Sequence, residues 1–445
     1  MIYPKIYLDN IIKYSIFFLP IAILSGPFIP DLLVSIVCII FIYISLSEKL
    51  YKYYQNYFFY ICSCFYIYLL INSFLSSYYF ESLKVTVFYF RFFIFALAVW
   101  YVIDQNQNFI KIFFHFFAAT YTLALLDGYY QYFFNTNLFG IESPGVRMTL
   151  LFNEKLILGG YLSRLFPLLI ALMFFCYGNS KRLIIYGMLL LIFSDILIYL
   201  TGERTALGLL FLATIIIIIC ISKYNIARLF TFIISVILIV SISIFSPVIK
   251  ERNVDYTIEQ LGINEIIQDQ NTSEKEIFKQ NNSEKNVAIK DDNIKLKDKF
   301  KLYIFSPAHH SHILTAWNGF LDKPIFGHGA NSFRHFCKDK LYSYDNYSCS
   351  THPHNNYIQI ISELGIIGLV PFILLNIYLF YVLLSHLTSK YIFRKIKLSD
   401  YQICLICSFI LTVWPFFPTL NFFNNWINVI YFLPLGFFLQ SMSKN

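Results

Sequence analysis

Thr201-Gly-Glu-Arg-Thr-Ala-Leu-Gly-Leu-Leu-Phe-Leu-Ala-Thr-Ile-Ile-Ile-Ile-Ile-Cys-Ile-Ser-Lys223 decides the fold class. A tight polar turn leads into a run without one charge, from Ala206 to Ile221, and a lysine follows. Crossing about 30 Å of hydrocarbon takes roughly 20 apolar residues in a helix. The same pattern recurs on both sides. Upstream lie Ile11–Ile29, Asp31–Leu46, Tyr57–Phe74, Val85–Val102, Ile110–Leu126, Leu156–Tyr177 and Leu183–Leu200. Downstream lie Ile226–Phe245, Tyr357–Leu384, Ile403–Leu420 and Trp426–Leu439. The pattern predicts an all-α polytopic bundle of about 12 transmembrane helices. Backbone groups in lipid must bond within their own segment, so these spans are read as helices. The first span runs into the second with no small-residue cleavage site and reads as a membrane helix, not a signal peptide.

Composition agrees. The chain has 445 residues, 58% hydrophobic and 13% charged, against roughly 25% charged in soluble domains. The 49 Phe and 35 Tyr accompany abundant Ile, Lys and Asn, a compositional bias that makes no case for a sugar-binding platform. The net charge of +8 does not point to nucleic acid, because its distribution marks one side of a membrane. One set of short loops holds Lys5, Lys13, Lys49, Lys52, Lys181, Arg182, Lys223, Arg228, Lys390, Arg394, Lys395, Lys397 and Lys444. The opposite set holds Lys84, Arg147, Lys155 and Arg204. The first set is expected in the cytoplasm, with both termini.

Residues 1–245 then carry spans one to nine, and 357–445 carry spans ten to twelve. Residues 246–356 form one large periplasmic loop. Its part 250–301 is rich in Asn, Lys, Glu, Gln and Asp and reads as a mobile or weakly helical insertion. Its part 305–356 brings Pro, Gly, His, Trp and paired Cys and is expected to fold. Cys337 and Cys349 lie outside the spans in an oxidising compartment, which predicts a disulfide.

Three groups of residues on this face carry chemistry. Cys349-Ser-Thr-His352-Pro-His354-Asn355-Asn356 enters span ten. An imidazole there suits a general base near neutral pH, and the adjacent helix N-terminus suits phosphate. Alternatively, His352 and His354 are interfacial residues at a helix cap. Gly365 and Gly368, further down, are expected to permit close helix contact. Arg204 begins span eight on the same face, where a guanidinium clamps a diphosphate bidentately or simply anchors the interface. Arg91, Arg164 and Arg147 add cations, either as a basic cleft or as partners of Glu81, Asp127, Glu142 or Glu154. The loop histidines His309, His310, His312, His328 and His335 lack a ligand spacing with Cys or carboxylate support, so no metal is expected.

These residues resemble a known family. His354-Asn355-x9-Gly365-x-x-Gly368 resembles the periplasmic motif of O-antigen ligases. Trp317-Asn-Gly-Phe-Leu-Asp-Lys-Pro324-Ile-Phe-Gly327-His-Gly329-Ala-Asn-Ser-Phe333-Arg334 is similar to a segment shared by O-antigen ligases and polymerases. Gly202-Glu-Arg204-Thr-Ala206 and Leu158-Gly-Gly-Tyr-Leu-Ser-Arg164-Leu-Phe-Pro167 fit the same pattern. The resemblance implies a glycosyltransferase-C-like bundle in the bacterial inner membrane and inverting, metal-independent transfer without a cofactor. The implied donor is an undecaprenyl diphosphate-linked glycan. The implied acceptor is a lipid A core sugar in a ligase, or a second lipid-linked repeat in a polymerase. A third kind of family member glycosylates protein hydroxyls. On this reading His354 takes the acceptor proton and Arg204 steadies the leaving diphosphate. Arg147, Arg164, Arg91, Arg334, His352 and His312 support substrate. His312 stands where the family often has a basic residue ahead of the Pro-Gly-Gly segment. A lipid-linked glycan flippase is the non-enzyme alternative, but two related halves with paired broken helices are not seen.

Overall fold

The computed structural model describes residues 2–142, 148, 157–260, 303 and 305–443. The chain is helical throughout these residues. In order come α1 (Ile2–Phe17), α2 (Leu19–Leu24), α3 (Phe28–Ser47), α4 (Tyr57–Leu75), α5 (Tyr79–Thr86), α6 (Phe90–Gln105), α7 (Phe109–Phe134), α8 (Leu158–Tyr177) and α9 (Lys181–Leu200). Then follow α10 (Arg204–Cys220), α11 (Asn225–Phe245), α12 (Pro247–Lys250), α13 (Tyr256–Gln260), α14 (Pro307–Asp322) and α15 (Phe333–Phe336). The last three are α16 (Asn356–Tyr391), α17 (Asp400–Val413) and α18 (Asn425–Met442).

Among the described residues, 8 helices are long and apolar enough to cross a membrane, counting α5 and α6 as one stretch. The others at expected positions are shorter or more polar: α1 with α2, α10, α17 and α18. The protein is a multi-pass helical membrane protein. Side-chain burial sorts the bundle. In α8, 94% of the spanning window is buried, whereas α4, α11 and α16 each bury 17%. So α8 is the axis, and the other three show Ile, Leu and Phe to lipid, as Phe230, Ile237 and Leu374 do.

One orientation marker belongs elsewhere. Arg228, expected in a loop, lies in α11 with 0% exposure and donates to both carboxylate oxygens of Asp195 on α9, each at 3.0 Å. Thr214 of α10 accepts a third bond at 2.8 Å. A buried charge persists in a bundle only when so matched.

The expected loop is partly built. Residues 247–260 continue α11 through α12, a π-helical turn (Glu251–Asp255) and α13. Asn253 and Arg252 there donate to the carbonyls of Tyr199 and Leu200. The rest of the predicted insertion, 261–301, lies outside the described residues. In α14, Ser306 caps the helix by accepting from the His309 N–H.

Gly365 does not serve plain helix contact. It adopts φ +67° and breaks α16. A Cβ on Gly365 would meet the Ile325 carbonyl, and one on Gly327 (φ +68°) would meet the Glu363 backbone. Without side chains the two segments interlock. Ile366 N–H donates to Pro324 O at 2.9 Å, His328 N–H to Ser362 O at 3.1 Å, and Gly329 N–H to Glu363 O at 2.8 Å. From α4, Ser76 donates to the His328 carbonyl and Asn72 to that of Phe326. The two glycine motifs are thus one structural unit that docks the loop on the bundle.

Candidate functional site

The loop ends where four imidazoles converge. The His354 ring centroid lies 4.1 Å from His352, 4.9 Å from His309 and 5.4 Å from His312. Backbone and disulfide hold this cluster in place. His354 has φ +58°, and its carbonyl accepts from Thr419 N–H at 2.8 Å. Asn355 then caps α16, accepting from the N–H groups of Tyr357 and Ile358 while its amide donates to Pro415 O. Cys337 and Cys349 form a disulfide, with Cα atoms 5.1 Å apart, just ahead of this stretch. The Asn of the His-Asn pair is therefore a helix cap, and the His is what it orients.

Tautomers follow from the bonds. His352 Nδ1 lies 2.9 Å from the Thr351 hydroxyl, and its Nε2 lies 3.1 Å from the Thr419 carbonyl, so Nε2 carries the proton. His354 Nε2 lies 3.2 Å from Ser350 Oγ. Ser306 Oγ accepts from the His309 backbone and reaches His309 Nδ1 at 3.1 Å. Nδ1 of buried His312 has no partner among the described residues.

The cluster is kept neutral. Burial, then the His352, His309 and His312 imidazoles, pushes His354 down to about 3. Burial pushes His352 down to about 4, with Arg334 adding to it. His309 is lowered by burial, by His312 and by the Arg204 charge. His312 is lowered by burial, against the opposing pull of Asp345. An imidazolium here would lack water and face other cations. An entering anion would reverse that balance.

Arg204 starts α10 and is held by Thr257 Oγ1 at 3.2 Å and Gln260 Oε1 at 2.6 Å. Its charge helps to lower His309, the ring that lies 4.9 Å from His354. Sequence reading left His309 in a packing role, and left Arg252 unnamed. Arg252 packs over Gly202 (φ +71°) and pins the turn before Arg204. The neighbouring Glu203 accepts from the N–H groups of Gly159 and Gly160 at 2.7 and 2.9 Å. It thereby ties the start of α8 to Arg204 and fills that helix N-terminus itself.

Arg164 lies nearly two turns into α8 and is 8% exposed. Among the described residues its guanidinium has one long bond, 3.5 Å to Gly160 O, no salt bridge, and an unpartnered Nε. Arg334 donates to Asn331 at 2.8 Å, and its Nε is likewise unpartnered. Behind it the fully buried Glu363 accepts from the N–H groups of Asn331 and Phe333 and from Gln359. Arg91 is different. It pairs with Asp31 at 2.7 Å, and Asn425 donates to the same carboxylate, so it is a structural cation and not an open one. The partner was none of the four carboxylates expected. Arg147 lies outside the described residues. Among those described, no group of three or more His, Cys, Asp and Glu is arranged to hold a metal ion.

The class defined by the fold is a multi-pass helical membrane protein, and its cluster of neutral imidazoles with nearby guanidinium groups has the chemistry to receive an anion. The model of the O-antigen ligase family matches residues 186–373, so that part of the chain is similar to this family. The match holds Arg204, the four histidines, Arg334 and both interlocked glycine motifs. A protein of Rickettsia conorii (strain Malish 7), provisionally named a polysaccharide ligase, is 32% identical over 106 residues. That alignment covers 22% of this chain and 26% of the relative, so the chain spans about a quarter of the relative's length.

Proposed function

We propose that this protein transfers a glycan from a lipid diphosphate donor to an acceptor hydroxyl at the periplasmic face of the bacterial inner membrane, as an O-antigen ligase-like glycosyltransferase. The observation that carries this reading is the gathering of His352, His309 and His312 around a neutral His354, with the Arg204 charge acting on His309. In this reading His354 Nδ1 removes the acceptor proton as the C–O bond to the sugar forms and the bond to the diphosphate breaks. Arg204, Arg164 and Arg334 take the charge that builds on the leaving diphosphate. His309 donates Nε2–H to the same anion. His352 and His312 keep His354 neutral until the anion arrives, whose charge then raises its basicity toward the working range. Arg147 is proposed with the same cations from its sequence position alone. The donor is taken to be undecaprenyl diphosphate-linked and the acceptor a lipid A core sugar, with inverting transfer that needs no metal, in a glycosyltransferase-C-like bundle.

The test is glycolipid analysis of a deletion strain complemented with wild type, His354→Ala or Arg204→Ala. Loss of polymer attached to lipid A core, with long lipid-linked polymer accumulating, is expected for the deletion and both variants at normal membrane expression. Wild-type attachment in both variants would remove the assignment. Single repeats attached to core would instead mark a polymerase.

A further inference from the structure

The opposite end of the bundle holds a second site. Helix α9 is 20 residues long, about 30 Å, and runs from the turn before Lys181 to the turn that carries Arg204. At its start lies a cavity of about 750 Å³. Its walls come from the connections α8–α9, α10–α11 and α16–α17 and from the end of α18. It touches none of the residues described above.

Four features of this cavity ask for an anion. Ser180 makes no side-chain cap for α9, so the first N–H groups of a long helix are left for a ligand. Lys181 and Arg182 occupy the first turn, where cations oppose the helix dipole unless an anion sits there. Lys223 lines the cavity and is held only by Asn179 at 3.3 Å. Two hydroxyls are buried against it without partners among the described residues: Ser222 Oγ, and the hydroxyl of Tyr401, itself 7% exposed. Such donors cost stability while they stay unmatched. One carboxylate is present, Asp400, but it already accepts the N–H groups of Ser222 at 2.6 Å and Lys223 at 3.0 Å. Phe175, whose ring stands 5.1 Å from Tyr401, adds an apolar wall.

We propose that this cavity binds a phosphate group, from a membrane phospholipid head or a free phosphate ester, between the α9 N-terminus, Lys223, Ser222 and Tyr401. An apolar wall beside an anion subsite at the end of a bundle suits a phospholipid head in particular.

The test uses the purified, delipidated full chain and its melting temperature at chloride-matched ionic strength. The probes are inorganic phosphate, dihexanoyl phosphatidylglycerol and phosphate-free dihexanoylglycerol. A saturable rise with phosphatidylglycerol alone identifies a lipid head. A rise with inorganic phosphate as well identifies phosphate from either source. Lys223→Gln should weaken the response on the order of tenfold, the worth of one charge-assisted hydrogen bond. Tyr401→Phe should raise the ligand-free melting temperature and weaken the response. The proposal is overturned if dihexanoylglycerol acts as well as the phosphate probes, if no probe acts, or if both variants respond like wild type.

Discussion

Two arginines, Arg228 and Arg164, sit inside the same bundle and are both withdrawn from water, yet their surroundings differ in kind. Arg228 meets a carboxylate through two bonds and a threonine through a third. Among the described residues Arg164 meets one backbone carbonyl at 3.5 Å and no carboxylate; Nε is unmatched in both. Burying a charge is costly, and the cost is offset by a partner or carried for another purpose. The first arginine is part of the fold. The second has no such partner, and under the function proposed above it would meet the anion of the donor. Burial alone does not separate structure from function here; the partner does.

The strongest way to break this comparison is to unpair Arg228. Asp195→Ala should destabilise the detergent-solubilised protein by about 3–5 kcal/mol, and Asp195→Leu with Arg228→Leu should recover most of it. A melting temperature unchanged by the single substitution would show that the pair is idle. Arg164→Leu should do the reverse. Glycan transfer should fall by roughly 10²–10³-fold, while the melting temperature holds or rises. Full activity in a destabilised Arg164→Leu protein would make the two arginines alike.

Smaller effects sharpen the picture around the imidazoles. Cys337→Ser should cost about 2–4 kcal/mol, and non-reducing mass spectrometry should find the Cys337 and Cys349 peptides joined in the wild type. Two free thiols there would count against a covalent clamp on the His354 approach. The smallest expected effect is on pH. His352 and His354 are depressed to about 4 and about 3, below the roughly 6.5 of a free imidazole. Their neutral forms therefore stabilise the folded chain above that ordinary value. The contribution is lost as pH falls from about 6.5 through those lower values, because the unfolded chain takes up protons first. His354→Asn should flatten the decline in melting temperature over that window; an equally steep decline would place its origin in other groups.

Much of the architecture was legible in one dimension. Apolar runs long enough for a bilayer announce helices whatever their neighbours, because lipid offers backbone groups no alternative partner. The glycine motifs were legible as a pattern but not as a mechanism. Gly365 reads as a small residue for helix contact, and only the fold shows its positive φ and its contact with the backbone at Ile325. Arg91 and Arg228 were misjudged for one reason. Their partners, Asp31 and Asp195, are 60 and 33 positions away in sequence, and no local pattern predicts such a pairing.

What the sequence determined by itself is therefore the solvent of the fold: that the chain meets lipid many times, and that it does so as helices. Which charges are neutralised inside, and which imidazoles gather around His354, was decided by helices packing across long stretches of chain. Hydropathy is a property of each segment alone, whereas a pairing or a cluster exists only once distant segments share a space too small to leave a charge unmatched without consequence.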